Sequence, residues 1–212
     1  MQPFQPIPLK NLDPYPEYNS SNIFVFDDCF PNYLVADGEF QLGITQWEYG
    51  HYTDIENSNN DLFFGRQLYH KLQGGMQAQF PPIVSNFISL LEHVLSKQID
   101  PESSWRGPYR VSLNGQTPNQ HAGIHVDTKE RNTFWTAIYM SNEGDGDLTF
   151  YKHDTDRTKT DSIEYKKGRI IIFPSGYAHE AQPPSKTKWR TTVAVMFDLD
   201  TKKQYDTTSN SN

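Results

Sequence analysis

Three residues with metal-binding side chains stand at a spacing that predicts one mononuclear metal site. His125 and Asp127 are two positions apart, and His179 follows the turn-forming sequence Pro174-Ser175-Gly176. Side chains two apart on a strand project from the same face, so His125 and Asp127 can bind one ion. A turn at the rim of a barrel would direct His179 toward the same ion. Two imidazoles and one carboxylate leave about three octahedral positions open, which is the arrangement of non-haem iron(II) oxygenase sites.

An arginine after the second histidine extends this prediction to a cosubstrate. Arg190 lies in the strand-like sequence Trp189–Val195, two positions before Thr192. A guanidinium offers a planar fork that matches a carboxylate, and its burial needs a paired anion. We therefore expect Arg190, helped by the Thr192 hydroxyl, to hold the distal carboxylate of a 2-oxo acid. The ligand types also suit zinc, manganese and nickel, so iron is inferred from the open geometry and the arginine.

Several further residues are candidates for contact with a substrate. An aromatic segment within residues 45–66 is predicted to be an irregular excursion, and such loops often carry function. His121 precedes the first ligand by four positions and is either a rival ligand or a residue of the site's rim. Residues 45–66 and 114–121 are the candidates for a lid. The substrate-binding candidates of the aromatic segment are Trp47, Tyr49, His51 and Tyr52.

The pattern of the chain predicts a mainly β fold with flanking helices. Apolar residues at helical spacing predict a supporting helix over residues 82–97, and Pro82 marks its start. Short strands separated by turn residues, with no intervening helical periodicity, indicate an antiparallel sandwich or barrel, jelly rolls included. The strands are predicted at Tyr109–Leu113, Ile124–Asp127, Phe134–Met140, Asp147–Tyr151, Ser162–Tyr165, Arg169–Phe173 and Thr191–Phe197.

Composition limits the organisation and the partners. The 212 residues favour a single domain over residues 21–200, with core strands at about 105–200, after an extended segment 1–20 and before a disordered tail 201–212. A net charge of −7 and the lack of a basic stretch argue against nucleic acid as a partner. One cysteine excludes an internal disulfide. With no signal peptide and no long apolar run, the expectation is a soluble cytoplasmic protein without a membrane partner, of open oligomeric state.

These motifs together resemble the iron(II)/2-oxoglutarate-dependent dioxygenase superfamily. The closest branch is that of the prolyl 4-hydroxylases and their small microbial and phage relatives. The resemblance runs from about Tyr109 to Phe197, and it is carried by these motifs: His125-Val126-Asp127, Thr136–Met140, Gly146–Phe150, Gly168–Ser175, His179, Arg190 and the preceding Asn114-Gly115-Gln116-Thr117.

The resemblance implies a double-stranded β-helix, a jelly-roll form related to cupins, with helices packed on one side. It implies iron between His125, Asp127 and His179, with 2-oxoglutarate chelating the iron and reaching Arg190. Dioxygen is the second cosubstrate, and ascorbate is an accessory reductant to test. The implied reaction hydroxylates an unactivated C–H bond, with peptidyl proline first to try, and converts 2-oxoglutarate to succinate and CO2. The primary substrate is left open between a protein or peptide and a small molecule.

One departure from the branch affects the cosubstrate site. Prolyl hydroxylases usually place a tyrosine shortly before the first histidine motif, whereas Ser112-Leu113-Asn114-Gly115 stands here. Asn114, Tyr109 or Thr192 is expected to replace that tyrosine. Two other functions remain open: a non-catalytic jelly-roll module that binds a metal and a sugar or peptide, and a cupin-type metalloenzyme that uses no 2-oxoglutarate.

Overall fold

The computed structural model describes residues 18–52, 62–128 and 133–200. Two antiparallel sheets form the body of the protein. The larger has the strand order β1-β9-β6-β11-β5-β3-β2, with β4 added on β3, and the smaller has the order β10-β7-β8. The strands are β1 (Phe24–Phe26), β2 (Glu48–His51), β3 (Phe63–His70), β4 (Gly75–Met76), β5 (Ser104–Gln116), β6 (Phe134–Met140), β7 (Leu148–Tyr151), β8 (Lys159–Ile163), β9 (Ile170–Pro174), β10 (His179–Ala181) and β11 (Arg190–Asp200).

Helices cover the outer face of the larger sheet. They are α1 (Asn32–Gly43), α2 (Pro82–Leu90) and α3 (Ser96–Ile99), and a π turn at Leu91–Leu95 joins α2 to α3. Pro82 stands in the first turn of α2, where its missing N–H costs nothing. Gly38 lets α1 approach α2 closely, because a Cβ there would lie 2.7 Å from the side chain of Ile83.

Alternation along the strands divides the buried residues into two groups. On β5 and β11, Val111, Leu113, Val193 and Val195 face the helices and are fully buried. The intervening residues face the smaller sheet, as strand geometry requires. A second apolar cluster fills the space between the two sheets toward β6 and β9: Ile138, Met140, Leu148, Phe150, Tyr165, Ile171, Phe173 and Tyr177. The opposite part of that inter-sheet space, along β5 and β11, is left to polar residues.

This architecture confirms the predicted jelly roll with flanking helices, and most strands lie within a few residues of their predicted positions. The prediction that residues 45–66 are irregular is partly wrong, since β2 and the start of β3 pair within this segment. Most of the N-terminal segment, the tail and residues 53–61 of the candidate lid lie outside the described residues. Among the described residues, no helix is long and apolar enough to cross a membrane.

The predicted strand Ile124–Asp127 is also wrong. The structure has a single bridge there, between His125 and His179, instead of a continuous ladder. Val126 consequently does not turn away from its neighbours but lines the same cavity as His125 and Asp127. Strict alternation needs a regular strand, and this segment is too short and irregular to provide one.

Candidate metal and cosubstrate site

The structure brings His125, Asp127 and His179 together between the two sheets. Their potential ligand atoms all lie within 4.8 Å of one another. The backbones of the two histidines pair directly: each N–H donates to the carbonyl of the other, at 3.0 and 2.9 Å. The N–H of Asp127 donates to the carbonyl of Ser175 at 2.9 Å. The turn before β10 and the segment before β6 thus hold the three side chains in one place.

Hydrogen bonds orient both imidazoles in the same way. Nδ1 of His125 lies 3.0 Å from the carbonyl oxygen of Gly123, and Nδ1 of His179 lies 2.9 Å from that of Tyr177. Because a carbonyl only accepts, each Nδ1 donates, so in the neutral ring Nε2 is the nitrogen with the free lone pair. Burial, and then the nearby His179, lower the pKa of His125 to about 4. The neutral form of His125, which can bind a metal, is therefore favoured near neutral pH.

Asp127 is held in its ionised form. Burial alone would raise the pKa of this carboxyl, but Arg110 and the two histidines hold the pKa well below its usual range. Arg110 donates a hydrogen bond to Oδ1. Thr136 donates to Oδ2 at 2.6 Å, and Nε2 of His179 lies 3.8 Å from the same oxygen. Two imidazole nitrogens and a carboxylate oxygen therefore face one another with the chemistry of a metal site.

Arg190 begins β11 and is only 2% exposed. Its Nη1 donates to Oε1 of Gln116 at 2.5 Å, and its guanidinium carbon lies 4.8 Å from the centroid of the Tyr165 ring. Among the described residues, Nε of Arg190 has no hydrogen-bond partner. Burial lowers the pKa of Arg190, yet a guanidinium keeps its charge in proteins. A buried cation with an unused donor is suited to an incoming carboxylate.

A cavity of about 180 Å³ joins the two groups. Thr192 and Asn114, both predicted to contact the cosubstrate, line it, and so do His51 and Tyr52. Thr192 and Asn114 are direct partners across the β11–β5 pair. The polar stripe of the inner face thus runs from the three candidate ligands to Arg190.

Four predicted contacts lie elsewhere. Tyr109 is not among the residues that line the cavity, since its ring packs on Phe134 and His70. The others that lie outside the cavity lining are Trp47, which packs on Trp189; Tyr49, which packs on Phe64; and His121, which lies 3.4 Å from Glu180. These aromatic residues were selected by their type and position in the sequence, which do not determine the face of the strand on which a side chain lies.

Sequence reasoning missed four residues that contact the site: Gln116, Tyr165, Arg110 and Thr136. Strand parity could have found two of them. Gln116 and Arg110 stand at even positions of β5, as Asn114 does, so they face the cavity. Tyr165 lies outside any strand, and no local pattern connects it with Arg190.

Residues 110–197 match the family model described as the 2OG-Fe(II) oxygenase superfamily. The match includes the three candidate ligands and Arg190, and it agrees with the superfamily that the motifs resemble. Iron(II) and 2-oxoglutarate, the predicted metal and cosubstrate, are those in the family's description. No curated protein sequence matches the chain.

Solved structures share the fold at low sequence identity. A 2OG-Fe(II) oxygenase family protein from Burkholderia pseudomallei has a TM-score of 0.61 at 12% identity, over 84% of this chain and 85% of that one. A prolyl 4-hydroxylase from Pseudomonas putida has a TM-score of 0.59 at 15% identity, over 84% and 92%. A Trichoplax adhaerens prolyl hydroxylase, solved with a peptide of a hypoxia-inducible factor, has a TM-score of 0.61 at 13% identity, over 84% and 83%.

Proposed function

Because the chain has the fold and, over residues 110–197, the sequence signature of the 2OG-Fe(II) oxygenase superfamily, we propose that it hydroxylates an unactivated C–H bond with iron(II), 2-oxoglutarate and O2. The observation that carries this proposal is the cavity that joins a cluster of two histidines and one aspartate to a buried arginine. A jelly-roll module that only binds a metal would not need that arginine.

His125, Asp127 and His179 would hold the iron, and Arg190 would bind the distal carboxylate of 2-oxoglutarate. The donor set fits this assignment, since Nε2 is the nitrogen that carries the free lone pair in each neutral imidazole and the carboxyl is ionised. The unpartnered Nε of Arg190 fits it as well. When bound, iron(II) with 2-oxoglutarate and O2 would supply the oxidising power for hydroxylation, with succinate and CO2 as the products of 2-oxoglutarate.

The surrounding residues would orient and protect these groups. The carbonyls of Gly123 and Tyr177 keep the two imidazoles in the ligand tautomer. Gln116 fixes Arg190, and its own amide nitrogen donates to the carbonyls of Gln120 and Ala181. Apolar side chains on the cavity wall limit the access of water to the reacting centre. They include Val126, Ile138, Leu148 and Ala194.

A peptide containing proline is the first substrate to test. Two structural relatives are prolyl hydroxylases, and one of them was solved with a peptide. His51 and Tyr52 line the cavity at the end of β2, and Tyr52 is 47% exposed, so both are available to contact such a substrate. Other relatives are a carbocyclase and an epimerase from nogalamycin biosynthesis, so a small molecule is the second class to test.

The proposal is tested by anaerobic titration of metal-free protein with iron(II) and then 2-oxoglutarate. We expect a visible metal-to-ligand charge-transfer band that His179→Ala abolishes. His93→Ala is the matched control, because His93 is exposed on the π turn. Iron binding without a band would refute the use of 2-oxoglutarate and would favour a cupin-type enzyme. With the band established, a peptide that gains one oxygen atom per succinate formed would support prolyl hydroxylation.

A further inference from the structure

The cavity contains a second arginine that the proposed chemistry does not use. Arg110 lies on β5 and lines the cavity at the candidate metal ligands, and its side chain is 32% exposed. Among the described residues its one hydrogen-bond partner is Asp127, to which it donates through Nη2. A guanidinium has five N–H donors, so most of its capacity is unused by this contact.

Formal charges show that Arg110 is in excess. Among the described residues that line the cavity, the charged ones are Arg110, Arg190 and Asp127, which sum to +1 with the histidines neutral. Iron(II) would add two positive charges and 2-oxoglutarate two negative ones, so the sum stays at +1. Asp127, Arg190, the metal and the cosubstrate already balance without Arg110. This local excess contrasts with the net charge of −7 for the whole chain.

The two arginines lie at opposite ends of the polar stripe on β5 and β11. Arg190 pairs with Gln116 across the strands, whereas Arg110 stands six residues earlier on β5, opposite Met196. Six residues of strand span roughly 20 Å between Cα atoms. A cosubstrate held at Arg190 and chelated at the candidate ligands would therefore leave Arg110 on the far side. Ser112 and Gln67, partners across β5 and β3, supply further polar groups beside it.

We propose that Arg110 binds an anionic group, a carboxylate or a phosphate, of the primary substrate. This inference rests on the proposed function and specifies its substrate class. A bidentate pair with the guanidinium would set the distance from the anion to the hydroxylated carbon. The hydrogen bond to Asp127 would hold the guanidinium in place for that contact. A substrate lacking the anion would leave the positive charge uncompensated in a partly buried site.

The test uses arginine side-chain NMR on the full chain loaded with zinc(II), a redox-inert substitute for iron, and with 2-oxoglutarate. The probes are propionate and propionamide, which differ in charge at nearly equal size, and inorganic phosphate. We expect the Nε–H signal of Arg110 to shift with the anions and to give an affinity at least about tenfold higher for propionate than for propionamide. A preference for phosphate over propionate would identify the phosphate class, and the reverse order the carboxylate class.

Two variants separate binding from a purely structural role. Arg110→Gln and Arg110→Lys lack the guanidinium signal, so their affinities for the same probes are measured by isothermal titration calorimetry beside the wild type. Arg110→Gln should abolish the preference for the anions. Arg106→Gln should retain it, because Arg106 lies on the same strand but pairs with Asp200 outside the cavity. An Arg110 signal that does not move, or that moves equally with the amide, would overturn the proposal. So would an anion preference that survives in Arg110→Gln.

The same titration on metal-free protein distinguishes failure of this inference from failure of the proposed function. If zinc or 2-oxoglutarate does not bind, the proposed function fails, while the anion titration still reports on Arg110. If both bind and the anions do not discriminate, only the inference fails. Arg110→Lys adds a graded outcome: it keeps the charge beside Asp127 but loses the fork, so the preference should weaken without vanishing.

Discussion

The two faces of the β5–β11 pair share one backbone but carry side chains of opposite character. The outer face carries fully buried aliphatic side chains, such as Leu113 and Val193, against the helices. The inner face carries polar groups at the alternate positions, with Arg110 on β5 and Arg190 and Thr192 on β11. The same hydrogen-bond ladder therefore supports a core on one side and a polar cavity on the other.

The comparison shows how stability and chemistry are separated within one strand. Outer-face residues gain from burial, which contributes about 25 cal/mol per Å² of apolar surface. Inner-face residues cannot gain in this way, and the buried guanidinium of Arg190 is costly to desolvate. The outer face therefore offsets the cost of the inner one. Substitutions on the two faces should consequently affect different measurements.

The largest effect is expected on the outer face. Leu113→Ala should lower the free energy of unfolding by about 2–5 kcal/mol, because Leu113 is fully buried and its loss leaves a cavity. The affinity for 2-oxoglutarate should stay nearly unchanged in the folded protein. Urea denaturation and a 2-oxoglutarate titration measure the two quantities. A strong loss of affinity with little loss of stability would contradict the separation of the faces.

The inner face should respond in the opposite sense. Arg190→Met should weaken 2-oxoglutarate binding by about 2–4 kcal/mol, as expected when one partner of a buried charge pair is removed. Stability should change little or rise, since an apolar side chain of similar size replaces a costly buried charge. Lys188→Met is the control, because Lys188 is exposed two residues earlier. An equal loss of affinity in both variants would contradict a specific role for Arg190.

The residues of the inner face that the sequence predicted are those with distinctive side-chain chemistry. Two histidines and an aspartate in order, followed by an arginine, indicated the cluster that the structure assembles. The bounds of β6 and β11 were predictable to within a few residues, because turn residues separate these strand-like runs from their neighbours. Side chains at known strand positions can be assigned to a face because parity fixes the direction.

Other residues of the site could not be predicted from the sequence, and each has its own physical reason. Glutamine is common on surfaces, and only the pairing of β5 with β11 brings Gln116 to Arg190. Tyr165 contacts Arg190 through tertiary packing across 25 positions of sequence, which no local pattern encodes. The aromatic residues Trp47 and Tyr49 attracted attention by type, yet they pack on Trp189 and Phe64 outside the cavity.

The smallest effect on the free energy of unfolding is expected for an ion pair that lies outside both faces. Asp27 follows β1 and pairs with Arg169, which precedes β9, and with Lys166. The hydrogen bond from Arg169 is the main cause that lowers the pKa of Asp27. A lowered pKa stabilises the fold above about pH 3.9, the pKa of an unfolded aspartate, and this contribution is lost as the pH falls further. Asp27→Asn should therefore cost under about 1 kcal/mol at pH 7, and less on acidification.

Urea denaturation of the wild type and of Asp27→Asn at constant ionic strength measures this difference. A range from about pH 2.5 to about pH 7 extends both below and above the pKa of an ordinary aspartate. Asp28→Asn is the matched control, since Asp28 is the adjacent exposed carboxylate and asparagine tolerates its positive φ of 57°. A difference between wild type and Asp27→Asn that stays constant or grows on acidification would contradict the ion pair. A cost above that of Leu113→Ala would mean that this surface ion pair contributes more to the stability of the fold than the apolar core behind the outer face does.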